Sequence, residues 1–356
     1  QRFKWAYFAA AFSFFCYVFF GSRYLGADLL GRSPGFWYGL LYCVTMTVFG
    51  LRRVHVRPTP YIRAQTGALV AIQWVFLWLL PEILIPWAGQ AGHLGGPDGF
   101  WRTQVFPGDA WWRAYGFILA WPLFIWNLYT SEPTTFWLVA SAVQTAILIP
   151  LGIRFFGKGV YCGWICSCGG LAETLGDEYR TKAPHGPVAK RWENAGQVVL
   201  LFALVMTGAK LAGAPIADAL NSVYYVVVDV AFAGVLGVGV YFFLSGRVWC
   251  RFLCPLAALM HIYTKFTRYR IFSRKKRCIS CNVCTKSCHM GIDVMSYAVR
   301  GKPLDDVECV RCSACVVNCP MDVLAFGRLG KDLELIPDRL HATTFDPIDW
   351  SKARAE

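Results

Sequence analysis

The sequence predicts an α-helical integral membrane protein that carries a small cysteine-rich domain near its C-terminus. Of the 356 residues, 56% are apolar and 16% are charged, whereas about 25% are charged in soluble globular proteins. Eight of the 15 cysteines lie within residues 278–319, with the spacing of metal ligands rather than of a disulfide scaffold. The net charge is +13, and many of the basic residues lie beside apolar segments, where Lys and Arg fix the orientation of a protein in lipid. We therefore expect membrane lipid as a partner and no nucleic-acid binding.

About six segments are apolar and long enough to cross a bilayer, which takes about 20 residues. They are residues 5–22, 36–51, 64–86, 135–153, 195–213 and 222–244. Clusters of Lys and Arg follow the second, fourth and sixth segments, which predicts that these regions and the N-terminus are cytoplasmic. Residues 113–129 are also apolar, but a further span would move the basic region after Arg154 outside. We therefore assign them to an interfacial or re-entrant helix.

Two cysteine runs near the C-terminus share one spacing, C-x2-C-x2-C-x3-C. It is typical of bacterial ferredoxins with two [4Fe-4S] clusters, in which the fourth cysteine of a run binds the other cluster. Structural zinc is the alternative, but zinc sites prefer two paired C-x2-C units. The predicted ligands are Cys278, Cys281, Cys284 and Cys319 for the first cluster, and Cys309, Cys312, Cys315 and Cys288 for the second.

The motifs divide the chain into four predicted parts. These are a transmembrane domain (1–264), a basic juxtamembrane linker (265–277), a two-cluster ferredoxin domain (278–327) and an extended tail (328–356). The many free thiols indicate a reducing compartment. We therefore expect a multi-pass protein of the bacterial inner (cytoplasmic) membrane, with the ferredoxin domain on the cytoplasmic side.

A second cysteine motif, C-x3-C, is repeated in the transmembrane domain. The segment VYCGWIC at 160–166 matches VWCRFLC at 248–254, and each copy follows a predicted span. Residues i and i+4 share one face of a helix, so each pair would present two sulfurs in one direction. The pairs would then form a shared metal or redox centre, or else pack as small apolar side chains. The residues concerned are Cys162, Cys166, Cys250 and Cys254, with Cys168 as a possible alternative ligand.

Asp229 is the one acidic residue well inside a predicted span. Carboxylates within a membrane are costly and usually functional. Asp229 is therefore predicted to accept a proton from a quinol, and the alternative is a hydrogen bond between helices. None of the six histidines is central in a predicted span, which disfavours a haem held between the helices.

The spans, the C-x3-C motifs and the paired cysteine runs together resemble the NapH/NosR family of membrane polyferredoxins. Cys250, Cys254 and Pro255 fit the family's C-x3-C-P element, whereas Ser167 stands in the proline position of the other copy. The large flavin-binding domain of NosR has no counterpart in this chain, so the chain is expected to be more similar to NapH. The resemblance implies quinol oxidation and electron delivery to a partner redox protein.

We therefore expect an electron-transfer subunit of a quinol-linked oxidoreductase complex. It would pass electrons between the quinone pool and a partner subunit such as a cytochrome or an iron–sulfur protein. One alternative is a metal-centre assembly factor or cupric reductase of the CcoG type, because soft thiolates suit Cu(I). Another is a structural subunit of a larger respiratory complex.

Overall fold

The computed structural model describes residues 6–7, 9–10, 12–14, 16–17, 29–129, 133–237, 240–329 and 335–337. Within these ranges, five helices have the length and apolar composition of membrane spans. They are α1 (Pro34–Val56), α2 (Pro60–Gln90), α3 (Thr135–Phe156), α4 (Pro187–Leu211) and α5 (Ala217–Leu236). They overlap the second to sixth predicted spans and confirm a helical membrane protein. Half of the first predicted span, residues 5–22, lies outside the described residues.

Capping signals explain where α1 and α2 begin. Pro34 stands in the first turn of α1, where no backbone donor is needed. The Ser33 hydroxyl accepts a hydrogen bond from the backbone N–H of Phe36 at 3.2 Å, as N-cap side chains do. Thr59 and Pro60 repeat the arrangement at α2. The short connection makes α1 and α2 packed neighbours.

Shorter helical elements connect the spans and continue into the C-terminal domain. The 3-10 helices are Leu29–Gly31, Pro107–Asp109, Trp111–Phe117, Leu175–Lys182 and Lys275–Arg277. The short α-helices are Trp126–Tyr129, Gly159–Cys162, Ser167–Thr174, Tyr241–Leu244, Pro255–Thr264, Val283–Lys286, Val294–Arg300 and Ala314–Val317. Wider, π-helical turns occur at Trp101–Val105 and Trp249–Leu253, and within three spans at Trp74–Leu84, Gln144–Leu148 and Tyr225–Leu236.

The aromatic segment 113–129 is not among the spanning helices, as predicted. The expected interfacial or re-entrant helix is, however, replaced by short helical pieces and turns. The Gln144 side chain donates to the carbonyls of Gly116 and Phe117, both at 3.0 Å. These bonds explain the difference, because irregular backbone within a membrane protein is tolerated where other protein groups satisfy it.

The C-terminal domain combines the two cysteine runs with a small antiparallel sheet. Strand β1 (Tyr269–Ser273) pairs with β2 (Leu324–Leu329), and β2 pairs with β3 (Leu335–Pro337). The register sets Tyr269 opposite Arg328 and Ser273 opposite Leu324. Because β1 lies within the predicted linker, the sheet joins that linker to the end of the cysteine domain. The tail after β3 lies outside the described residues.

The cysteine domain is packed against one end of the spans. The Tyr61 hydroxyl, in α2, donates a hydrogen bond to the carbonyl of Arg311 at 2.8 Å. A Cβ atom added to Gly159 would lie 2.4 Å from the carbonyl oxygen of Val310, so only glycine permits this approach. One buried core therefore extends from the spans into the cysteine domain.

Candidate iron–sulfur centres

The two cysteine runs have the same backbone turns. Ser280 and Asn282 in the first run have φ angles of 55° and 61°, and Arg311 and Ser313 in the second have 53° and 65°. In each run these residues flank the second cysteine. Left-handed residues turn the chain sharply, so the first three cysteines of each run surround one space. The two runs are therefore equivalent loops, as two equivalent ligand sets require.

The four thiols assigned to the first cluster line one pocket. Its apolar walls include Ile279, Met295 and Val323. Burial raises the pKa of Cys284, and the thiols of Cys319 and Cys278 raise it further. Four thiols around an apolar pocket fit a [4Fe-4S] cluster. The thiols that line the pocket are Cys278, Cys281, Cys284 and Cys319.

The thiols assigned to the second cluster are also neighbours. Burial raises the pKa of Cys288 to about 12, and the thiols of Cys312 and Cys309 contribute. The pKa of Cys315 is raised by burial and then by Cys312, Cys288 and Cys309. The structure thus brings the last cysteine of each run to the first three of the other. The ligand sets themselves stay a prediction.

The C-x3-C pairs lie at corners between helices. Cys166 and Cys254 are the N-cap residues of the helices that follow them. The backbone N–H of Cys166 donates to the carbonyl of Tyr161, and that of Cys254 to the carbonyl of Trp249, both at 2.9 Å. The expectation of one helical face per pair is wrong, because the chain leaves the helix before the second cysteine. Pro255 starts the next helix, as expected.

The C-x3-C thiols form one buried group. Burial raises the pKa of Cys162 to about 12, where Cys166 and Cys250 add to the effect while Lys158 and Arg247 oppose it. Burial also raises the pKa of Cys254, followed by Cys250, Cys166 and Cys162. A hydrogen bond with Cys168 contributes most to the raised pKa of Cys166. Such a soft donor set suits a metal whose charge displaces the thiol protons, and apolar packing stays the alternative.

Buried charges beside the thiols were missed by reasoning from sequence. Lys158 and Glu308 are fully buried, with Nζ and Oε2 3.2 Å apart. Arg247 and Glu173 are also fully buried, and a guanidinium nitrogen lies 2.6 Å from a carboxylate oxygen. Each pair has its cation just before one C-x3-C motif. The cation that precedes the cysteines in both repeat copies was the one available signal.

Asp229 lies in the π-helical stretch of α5, Tyr225–Leu236. Its Oδ2 atom is buried and makes no hydrogen bond with the described residues. The described residues therefore do not support the alternative role of Asp229, in which this atom would form a hydrogen bond with another helix. π-Helical turns occur frequently at functional sites, and the role of Asp229 stays a prediction.

Two families of iron–sulfur domains match the chain. The 4Fe-4S binding domain family matches residues 136–184 and 230–278, which contain the two C-x3-C motifs. The 4Fe-4S dicluster domain family matches residues 277–324, which contain both cysteine runs. Both cysteine motifs thus lie in segments that are similar to 4Fe-4S-binding domain families.

Curated relatives match about half of this chain. An uncharacterised protein of Methanocaldococcus jannaschii is 26% identical over 52% of this chain and 71% of its own length. YccM of Escherichia coli K12, whose name describes an electron transport protein, is 27% identical over 51% and 55%. The regulatory protein NosR of Pseudomonas aeruginosa is 25% identical over 54% and 27%. No solved structure matches significantly. In its spans and its 4Fe-4S domains, the chain is therefore similar to the NosR/NapH-like membrane polyferredoxins.

Proposed function

We propose that this chain is a membrane electron-transfer subunit that passes electrons between the quinone pool and a partner redox protein. This proposal rests on the positions of the thiol groups between the spans and the protein surface. The C-x3-C thiols are buried at helix corners beside the spans, the second run is packed against the spans, and the first run reaches the surface at Cys281. Three neighbouring thiol groups thus lead from the membrane helices to solvent. The name of YccM supports the same role.

We assign one [4Fe-4S] cluster to each crossed set of four cysteines. When bound, such clusters transfer single electrons. The chain supplies the thiolates and excludes water with Val310, Val316 and Ile292, which are buried and whose apolar character is a lever on cluster potential. A closer likeness to NapH than to NosR is part of this proposal.

We also propose that the cysteine domain faces the cytoplasm of a bacterial inner membrane. The end of α1 that packs near this domain carries Arg52 and Arg53, and Arg57 follows directly. Positive residues are retained on the cytoplasmic side. The numerous thiols of the domain also suit a reducing compartment.

Quinol oxidation requires a proton acceptor near the membrane interior. Each quinol releases two electrons and two protons as it becomes a quinone. When occupied, the thiol-bound centres would accept these electrons one at a time, and Asp229 would take the protons in turn and pass them to solvent. Its buried, unbonded Oδ2 atom is the feature that supports this role.

Asp229→Asn is expected to slow cluster reduction by quinol about 100-fold, because general-base groups contribute on that scale. Stopped-flow absorbance with a short-chain quinol measures the rate at matched iron content. Asp218→Asn is the control, since Asp218 lies in the same span but is exposed and paired with Lys210. An unchanged rate in Asp229→Asn would remove this residue from the mechanism. Clusters that quinol never reduces, even in the wild type, would contradict the proposed function.

A mixed apolar and basic surface surrounds the exposed thiol of Cys281. Ile279, Val283 and Met321 are exposed large apolar side chains beside it. Several exposed cations lie around them, namely Lys275, Lys276, Arg277 and Lys286. This charge suits an acidic redox partner, because complementary charge steers electron-transfer partners together. We therefore place partner exchange at the first cluster.

Lys275→Glu combined with Lys286→Glu is expected to slow electron transfer to an acidic flavodoxin at least about tenfold at low salt. The difference should shrink at high salt, where charges are screened. Lys265→Glu, a single exposed charge reversal nearer the spans, is the control. Stopped-flow rates with dithionite-reduced protein give the comparison. Equal rates at low salt for both variants would place the docking surface elsewhere.

A further inference from the structure

A buried carboxylate, Glu173, lies between the two thiol-rich regions. It is in the helix that begins directly after Cys166. Its Oε2 atom accepts hydrogen bonds from Arg53 at 2.9 Å and Arg180 at 2.5 Å, and its Oε1 atom accepts one from Arg247 at 2.6 Å. Burial opposes ionisation, but these guanidinium groups and His289 hold the pKa of Glu173 well below its usual range. Glu173 is therefore an anion.

Two of these guanidinium groups also contact cysteine sulfur. Arg180 Nη1 donates to Cys312 Sγ at 3.2 Å. Arg247 Nη1 donates to Cys250 Sγ at 3.6 Å. A continuous series of polar contacts thus leads from Cys312 through Arg180, Glu173 and Arg247 to Cys250. It joins the second predicted ligand set to the C-x3-C thiols.

The network that includes Glu173 has more positive than negative charge. Four guanidinium groups face two carboxylates, an excess of two positive charges. Buried cations need anionic partners, and metal-bound cysteines are thiolates. Glu173, His289 and Cys312 have ligand atoms within 4.8 Å of one another, but Cys312 is already assigned to the second cluster. The network comprises Arg53, Arg57, Arg180, Arg247, Glu173 and Asp177.

We propose that the contacts from Arg180 through Glu173 to Arg247 form a bridge that couples the second cluster to the C-x3-C thiols. Glu173 is a positioning residue, which holds both guanidinium groups against sulfur. This inference rests on the proposed function only in that the second cluster is bound. A guanidinium beside a ligand sulfur stabilises the more negative, reduced state and so raises the reduction potential. Because one carboxylate holds both groups, a change at one end reaches the other.

EPR-monitored redox titration of the purified protein with dithionite tests the bridge. Arg180→Gln is expected to lower the midpoint of the second cluster by about 59 mV, a tenfold change in the equilibrium constant for one electron. Arg247 contacts none of the cysteines of that cluster in the described structure. Arg247→Gln is nevertheless expected to lower the midpoint of the second cluster, by the amount that corresponds to about a threefold change in its equilibrium constant for reduction. Arg52→Gln is the control, because Arg52 adjoins Arg53 but is 46% exposed and paired with Glu178. It is expected to cause no shift.

A double-mutant cycle separates the bridge from a plain long-range charge effect. In a Glu173→Gln background, Arg247→Gln is expected to leave the midpoint unchanged, because the bridge is already cut. The same shift with and without Glu173 would overturn the proposal, and so would a wild-type midpoint in Arg180→Gln. If Arg247→Gln does not bind clusters, Arg247→Lys is the second variant. Lysine keeps the positive charge, but its single nitrogen cannot replace the two guanidinium nitrogens that contact Glu173 and Cys250. An unshifted midpoint in Arg247→Lys overturns the bridge. Normal titration without quinol-driven reduction would contradict only the proposed function.

Discussion

Cys319→Ser is expected to remove the first cluster while the second remains. The reason is the crossed arrangement, in which Cys319 lines the pocket of Cys278, Cys281 and Cys284 although it belongs to the other run. A [4Fe-4S] cluster without its fourth thiolate is lost or degraded, so iron should fall by about four atoms per chain. Iron analysis and EPR of the reduced protein measure the loss.

The reciprocal variant makes the test specific. Cys288→Ser is expected to remove the second cluster and to leave the EPR signal of the first. Cys43→Ala is the control, because Cys43 is a fully buried thiol within α1 and belongs to neither ligand set. Loss of the second cluster in Cys319→Ser would show that each run binds its own cluster.

Local features of this site were predictable from the sequence because ligand loops are local. The spacing from Cys278 to Cys288 and from Cys309 to Cys319 predicted two equivalent loops, and both have the same left-handed turns. Apolar runs likewise predicted the five described spans, to within five residues at every end except the start of α4 and the end of α5. In both cases the determining interactions lie within a short stretch of chain.

The charged bridge was not predictable, because its members come from distant segments. Glu173 is bonded to Arg53, 120 residues away, and to Arg247, 74 residues away. Nothing in the periodicity around either arginine distinguishes a buried cation from a basic loop at the membrane surface. The helix predicted from the apolar composition of residues 113–129 was wrong for another reason. Side-chain hydrogen bonds from Gln144 satisfy backbone carbonyls there in place of helical hydrogen bonds. Hydropathy does not register such side-chain contacts.

The C-x3-C cysteines can be tested as one shared centre. Cys162→Ala and Cys250→Ala are each expected to remove the metal held there, with occupancy falling at least about tenfold, because a shared site fails when any ligand is lost. Cys168→Ala is the matched control, since Cys168 contacts Cys166 as a possible alternative ligand, and it is expected to retain most of the metal.

Metal analysis of anaerobically purified protein decides between the interpretations of these cysteines. A shared iron–sulfur centre predicts iron beyond the roughly eight atoms of two [4Fe-4S] clusters, lost together in Cys162→Ala and Cys250→Ala. Copper in place of that iron would favour the assembly-factor alternative, since buried thiols are soft ligands suited to Cu(I). Apolar packing predicts no change in metal and only a small loss of stability, on the order of 1 kcal/mol, from each truncated side chain. Because the two pairs come from equivalent corners of a repeat, unequal losses in the two variants would also contradict a shared centre.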